Sequence, residues 1–203
     1  MADSPRPDPL AASDARLMEG VARGDRGSFG ELVERHHQRA LDLAYRLSGD
    51  PELARDVAQE SFLRILKAAP RYESRAPFPV FLTAIVRNLV RETARKRRRR
   101  REDPLPEDPI DDADAQGAAG IRSGSADPLE SLHRAEVRER LLRALGSIGE
   151  KAREVFVLSE MEGFSYQEIA RICRCPIGTV ASRKHDAMVQ LRAILRPLRD
   201  GGS

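Results

Sequence analysis

Tyr72, Phe78 and Phe81 are three of the chain's nine aromatic residues (six Phe, three Tyr, no Trp). They stand just ahead of Arg87, Asn88, Arg91 and Arg95, which lead into an unbroken run of seven cations from Arg95 to Arg101. Rings beside cations suit single-stranded nucleic acid, because unpaired bases stack on the rings while the cations hold phosphates. Asn88 adds an amide able to hydrogen-bond a base edge. Phe81 and Leu82 read as core residues of a helical bundle, whereas Tyr72 and Phe78, in a stretch containing Pro, Ser and Arg, are expected to be exposed. The basic run would equally suit a solvated tail, yet seven like charges repel unless something anionic lies opposite.

A second set of polar residues, Thr179, Ser182, Arg183, Lys184 and His185, lies within GFSYQEIARICRCPIGTVASRKHDAMVQLRAIL, residues 163–195. This stretch reads as two helices joined by a tight turn. Ser165, with Glu168 three residues on, has capping-box spacing, and Ile169, Ala170 and Ile172 fall on one face. The turn is expected at Arg174-Cys175-Pro176, where proline stops the first helix. The second helix is expected to open near Gly178-Thr179 and to bury Val180, Ala187, Met188 and Leu191. That is the layout of a helix-turn-helix, whose second helix enters the major groove with its N-terminal residues at base edges. A plain helical hairpin would show the same periodicity. Arg183 has the chemistry to pair with guanine O6/N7 or with a phosphate. Lys184, four residues after Val180, is ambiguous: it is among the polar residues nearest the helix start that would meet bases or phosphates, yet it is also placed to snorkel along the core-facing stripe.

No catalytic constellation is present: there is no G-x-x-x-x-G-K-[ST] and no H-E-x-x-H, and cysteine meets a plausible histidine base only at the crowded turn. His36, His37, His133 and His185 are scattered and expected at the surface. Cys173 and Cys175 are too close in sequence for an unstrained disulfide, and a zinc site would need four ligands. They read as small apolar turn residues. Neither enzyme activity, a metal nor a cofactor is expected.

The elements that must position these groups are all helical. Leu17, Val21, Phe29, Leu32, Val33, Leu41, Leu43 and Ala44 suggest two helices interrupted at Gly24-Asp25, with patterning from about Asp14. Pro51 suits the first position of a third helix, which carries Leu53, Ala54, Val57, Ala58, Phe62, Ile65 and Leu66 and ends at Pro70. A fourth begins near Pro79 and runs through Phe81, Leu82, Ile85, Val86 and Val90 into the basic run. Leu132, Val137, Leu141, Leu142 and Leu145 mark a further helix, and Val155 to Leu158 the next. No stretch alternates as a strand would. The expected plan is all-α: a disordered lead-in at 1–13, a helical domain at 14–101, a flexible acidic linker at 102–130, and a second helical domain at 131–198.

Composition sets the outer limits. The 203 residues are 40% hydrophobic and 33% charged, which supports folded cores, and the net charge of +3 is too modest to prove a polyanionic partner. The distribution says more: after the seven cations, Glu102 to Pro128 carries eight acids against the single base Arg122. Such a reversal suits a polyanion partner and a segment that avoids or mimics it. No apolar run could span a bilayer and no secretory leader is visible, so a cytoplasmic location without membrane insertion is expected.

GDRGSFGELVERHH, GDPELARDVAQESFLRILKA and FPVFLTAIVRNLVRE followed by arginines resemble region 2 of the sigma-70 family. LLRALGSIGEKAREVFVLSEMEGFSYQEIARICRCPIGTVASR resembles its region 4, and the direct succession of the two resembles the extracytoplasmic-function (ECF) group. The resemblance implies a promoter-recognition subunit of bacterial RNA polymerase, with core polymerase and promoter DNA, both duplex and melted strand, as partners. An anti-sigma factor is a further partner that such factors often have. By position, Asp56, Gln59, Glu60 and Phe62 match the helix that docks on polymerase. Phe81-Leu82 stands where the family usually has Trp-Leu, and Asn88 matches a position that reads a flipped base of the −10 element. Tyr72, Phe78, Arg87, Arg91 and Arg95 complete the expected −10 surface. Thr179, Ser182 and Arg183 match the start of the −35 reading helix, with Lys184 and His185 beside them. This chain departs from the family there, since commonly basic positions hold Ala181, Asp186 and Met188, and a commonly apolar one holds Lys184.

Two other classes compete. A free-standing helix-turn-helix regulator would explain 163–195 but leave the acidic linker and residues 72–101 without a role. A nucleic-acid-processing enzyme would need a carboxylate cluster; Asp108, Asp111 and Asp112 fall in the linker, where geometry is not preorganised.

Overall fold

Gly24 and Asp25 divide the first apolar stretch into α1 (Pro9–Ala22) and α2 (Arg26–Ser48) in a computed structural model that describes residues 9–73, 76–102 and 128–196. Gly24 takes φ +85°, and the Asp25 carboxylate then caps α2, accepting from the backbone N–H of Gly27 at 2.9 Å and of Ser28 at 3.3 Å. Bonding to the Ser28 hydroxyl first, and to these amides next, holds the Asp25 carboxyl below the usual carboxylate range. Beside this turn the helices approach closely: a Cβ on Gly20 would lie 2.2 Å from the Ser28 Oγ. Pro51 opens α3 (Pro51–Ala68), which tightens into a 3₁₀ turn over Ala69–Arg71 around Pro70. α4 (Phe78–Glu102) carries its apolar half into the basic run without interruption.

The remaining helices are α5 (Pro128–Ser147), α6 (Glu150–Phe156), α7 (Tyr166–Cys173) and α8 (Ile177–Leu195), with a π turn at Val157–Met161 between α6 and α7. Among the described residues there is no strand, and no helix is long and apolar enough to cross a membrane. The fold is all-α. It divides into two compact units, one from the residues up to Ala44 with Glu52–Glu92, the other from Tyr45–Pro51 with the residues from Thr93 onward. α1 starts at Pro9, ahead of the expected Asp14, and α5 starts at Pro128, inside the expected linker. Residues 1–8 of the expected lead-in and 103–127 of the expected linker, Asp108, Asp111 and Asp112 among them, lie outside the described residues.

In the first unit Met18, Leu32, Leu43, Ile65, Phe78, Leu82 and Val86 are fully buried, and α1 packs on the 3₁₀ turn. A polar knot ties α1 to α2: the buried Asp14 accepts from Arg35 Nη1 at 2.7 Å, and its other oxygen lies 2.9 Å from His36 Nε2. The His36 ring packs 4.9 Å from that of Phe78. Two expectations fail here. His36 is buried instead of exposed, because Asp14 satisfies its ring nitrogen inside the core. Phe78 is only 1% exposed, because it opens α4 and its ring closes the core against α2. His37 and His185 are exposed as expected, and the side chain of His133 lies outside the described ones.

In the second unit α8 packs on α5, α6 and α7 around Leu145, Val155, Leu158, Ile169, Val180 and Ala187. Arg153 donates to the Gly146 and Ile148 carbonyls at 3.0 and 3.3 Å, closing the end of α5. Met188, expected in the core, is half-buried. Both cysteines are free thiols, Cys173 buried and Cys175 half-buried.

Candidate nucleic-acid interface

Helical spacing places Phe81, Asn88, Arg91 and Arg95 on one face of α4. Asn88 and Arg95 are exposed, Phe81 and Arg91 half-buried. Tyr72 joins them from the preceding segment, its ring 5.0 Å from Phe81 at 55° and its hydroxyl donating to the Ala76 carbonyl at 3.4 Å. The result is a ring pair, an amide and a rising line of cations along one helix. Two expected members are absent. Phe78 lies in the core, and Arg87 is 4% exposed on the inner side of α4, its Nη1 donating to Asn88 Oδ1 at 3.3 Å. A guanidinium so enclosed does not reach a phosphate; it orients the amide beside it. This is a correction to both expectations.

On α3, Asp56 and Gln59 are exposed, and Glu60 is half-buried and accepts from Arg64 Nε at 3.1 Å. Arg64 also donates to Glu92 on α4 at 2.9 Å, fixing this side of α3. Gln59 and Phe62 border an open groove of about 440 Å³ between α2 and α3, with Phe29, Val33, Leu41 and Leu63 as its apolar walls. His37 stacks over Phe62 with ring centres 6.3 Å apart. The sequence reading missed the groove. Its signal was Leu63, an apolar residue one step off the buried face and 42% exposed.

In the second unit the helix-turn-helix forms as its residues dictate. Ser165 caps α7 in a full capping box with Glu168. Arg174 takes the left-handed conformation at φ 51° to end α7, and Pro176 stands immediately before α8. The expected polar readers are unequally available. Ser182 and His185 are exposed and Thr179 half-buried, but the Ser182 hydroxyl donates to the Thr179 carbonyl at 3.1 Å. Arg183 is half-buried, with Nη1 3.7 Å from Cys175 Sγ. Lys184 Nζ is 2.6 Å from Glu160 Oε1 and 5.3 Å from the centre of the Tyr166 ring. Its tether is a carboxylate on the π turn, which the sequence reading did not single out.

Sigma-70 region 2 matches residues 32–100 and sigma-70 region 4 matches residues 138–191. The ECF RNA polymerase sigma factor SigE of Mycolicibacterium smegmatis is 36% identical over 177 residues, 86% of this chain; the chain thus spans 65% of the length of that relative. The RNA polymerase sigma-H factor of Pseudomonas aeruginosa is 30% identical over 187 residues, 91% of this chain and 95% of that protein. Among solved structures, the sigma factor RpoE in complex with the anti-sigma factor NepR from Bartonella quintana superposes with TM-score 0.63 at 25% identity, over 83% of this chain and 96% of that one. The helix-turn-helix, the α4 face and these likenesses place the chain in one group: it belongs to the ECF sigma factors of the sigma-70 family.

Proposed function

We propose that the chain directs core RNA polymerase to specific promoters and helps open them, without bond chemistry of its own. The carrying observation is the α4 face, where Phe81, Asn88, Arg91 and Arg95 line up on a helix distinct from the helix-turn-helix and Tyr72 joins them from the preceding segment. A free-standing duplex-binding regulator has no use for a pair of rings beside an exposed amide, whereas a factor that captures a melted strand does. In this reading α4 meets the −10 element and α8 the −35 element. The α2–α3 groove, lined on α3 by Arg55 and Gln59 and with Asp56 exposed on the same helix, docks on polymerase. Sharing the polymerase's compartment makes the location cytoplasmic. The eight acids of Glu102–Pro128 would be repelled by DNA, so that stretch suits a basic channel of polymerase. The relative captured with an anti-sigma factor supports an inhibitory partner here too.

The test is docking. Asp56→Arg with Gln59→Ala alters exposed residues and should leave helicity by circular dichroism unchanged. It should abolish pull-down of core polymerase and run-off transcription. Undiminished capture of core enzyme by the double variant would sink the assignment.

A further inference from the structure

We propose that the upstream promoter element of this protein is read through thymine methyl groups, with Ile177 and Ala181 as the residues that set the specificity. The inference rests on the reading of α8 as the duplex-reading helix and goes on to what that helix recognises.

The polar groups near the start of α8 are largely engaged within the protein. Lys184 is held by Glu160 at 2.6 Å over the Tyr166 ring, on the side of α8 that carries Val180 and Ala187 into the core. Arg183 turns its guanidinium to Cys175, and the Ser182 hydroxyl bonds to the carbonyl of Thr179. What faces outward is a ridge at four-residue spacing: Ile177, Ala181, His185 and Val189, all exposed, with Ile177 at 49% and Val189 at 51%. The outer side of the first turn is open as well, since a Cβ on Gly178 would meet nothing within 4 Å.

Charge identifies the occupant as duplex DNA. Arg171 and Arg174 are exposed on the last turn of α7 and in the turn itself, next to the N-terminus of α8. They and the positive end of the helix dipole suit phosphates on either side of a groove. The ridge that follows them begins with two side chains that neither donate nor accept hydrogen bonds. The one apolar group on a major-groove base edge is the 5-methyl of thymine. An isoleucine and an alanine one turn apart, at the end of a recognition helix that meets base edges, match that group and no other.

The experiment uses the full chain reconstituted with core polymerase. Holoenzyme selects from promoter duplexes randomised upstream of the −10 element, and each thymine of the enriched element is then replaced singly by deoxyuridine, which removes only the methyl. Wild type should lose about fourfold in affinity at one or two positions, the worth of one buried methyl. Ile177→Ala should bind thymine and uracil equally at one of these positions and keep wild-type preferences elsewhere. An unchanged melting temperature checks that this exposed substitution leaves the fold intact. Uracil equal to thymine at every position of an enriched element would overturn the proposal while leaving α8 as the reader. A uniform loss from Ile177→Ala, with thymine and uracil still distinguished, would overturn the role of Ile177. If wild type enriches no upstream sequence at all, the assignment of α8 falls, and the methyl readout with it.

Discussion

Lys184 and Glu160 form an ion pair of 2.6 Å that ties α8 to the π turn, with the Tyr166 ring beneath the ammonium. A cation at the start of a reading helix is ordinarily assigned to DNA; here it has a protein partner. The bond to Lys184 is the largest cause holding the Glu160 carboxyl below its usual range, and the same bond holds the Lys184 ammonium above its own.

Glu160→Gln should cost about 0.2–1 kcal/mol, the range of solvent-screened pairs, since the Glu160 side chain is 42% exposed. The depressed Glu160 contributes stability that is present above its unfolded value of 4.5 and lost as pH falls through its folded value. The raised Lys184 contributes stability that is present below its unfolded value of 10.5 and lost as pH rises through its folded value. The difference between wild type and variant in urea unfolding should be flat between roughly pH 6 and 9 and shrink on both sides. A difference unchanged in strong acid would remove the pair from the account.

Phe78 and Asn88 should separate cleanly. Phe78→Ala empties a core position and should cost about 3–5 kcal/mol in chemical denaturation. Asn88→Ala, at an exposed position, removes only the bond accepted from Arg87 and should cost about 0.5–1.5 kcal/mol. It should reduce permanganate reactivity of the melted region on duplex promoters, with little rescue by a pre-melted template, because base reading is lost. Wild-type footprints from Asn88→Ala would remove it from the interface.

Arg183, half-buried beside Cys175, should behave as a phosphate holder. Arg183→Ala should weaken upstream-duplex binding evenly across sequences and lower the salt slope by about one. Relaxed preference at a single base pair would instead make it a base reader of guanine, as its chemistry alone allows.

The legible parts of this molecule were local. The capping box at Ser165 and Glu168, the break at Gly24-Asp25 and the helix start at Pro51 depend on a few neighbouring residues, and each formed where expected. Phe78 and His36 were misread because their surroundings come from distant segments. A Pro-, Ser- and Arg-containing stretch gives no hint that its last ring packs on a histidine of α2, or that Asp14 on α1 satisfies that histidine. On α4 the face carrying Phe81, Asn88, Arg91 and Arg95 was visible in the spacing. The inward turn of Arg87 was not, because arginine carries no apolar signal. Lys184 sat between two readings, and what decided it was a carboxylate 24 residues earlier on an irregular turn.

The π turn at Val157–Met161 closes with the Glu162 amide on the Val157 carbonyl at 3.0 Å, an i→i+5 bond that uses one residue more than an α turn. Removing a single residue there would let α6 continue in ordinary α geometry and shift the phase of the downstream segment by about 100°. Glu160 would swing away from Lys184 without any change in the sequence of α7 or α8. Chain length at this turn is therefore a setting independent of the reading residues. A chain one residue shorter between α6 and α7 would present the same two helices at a different pitch relative to α6.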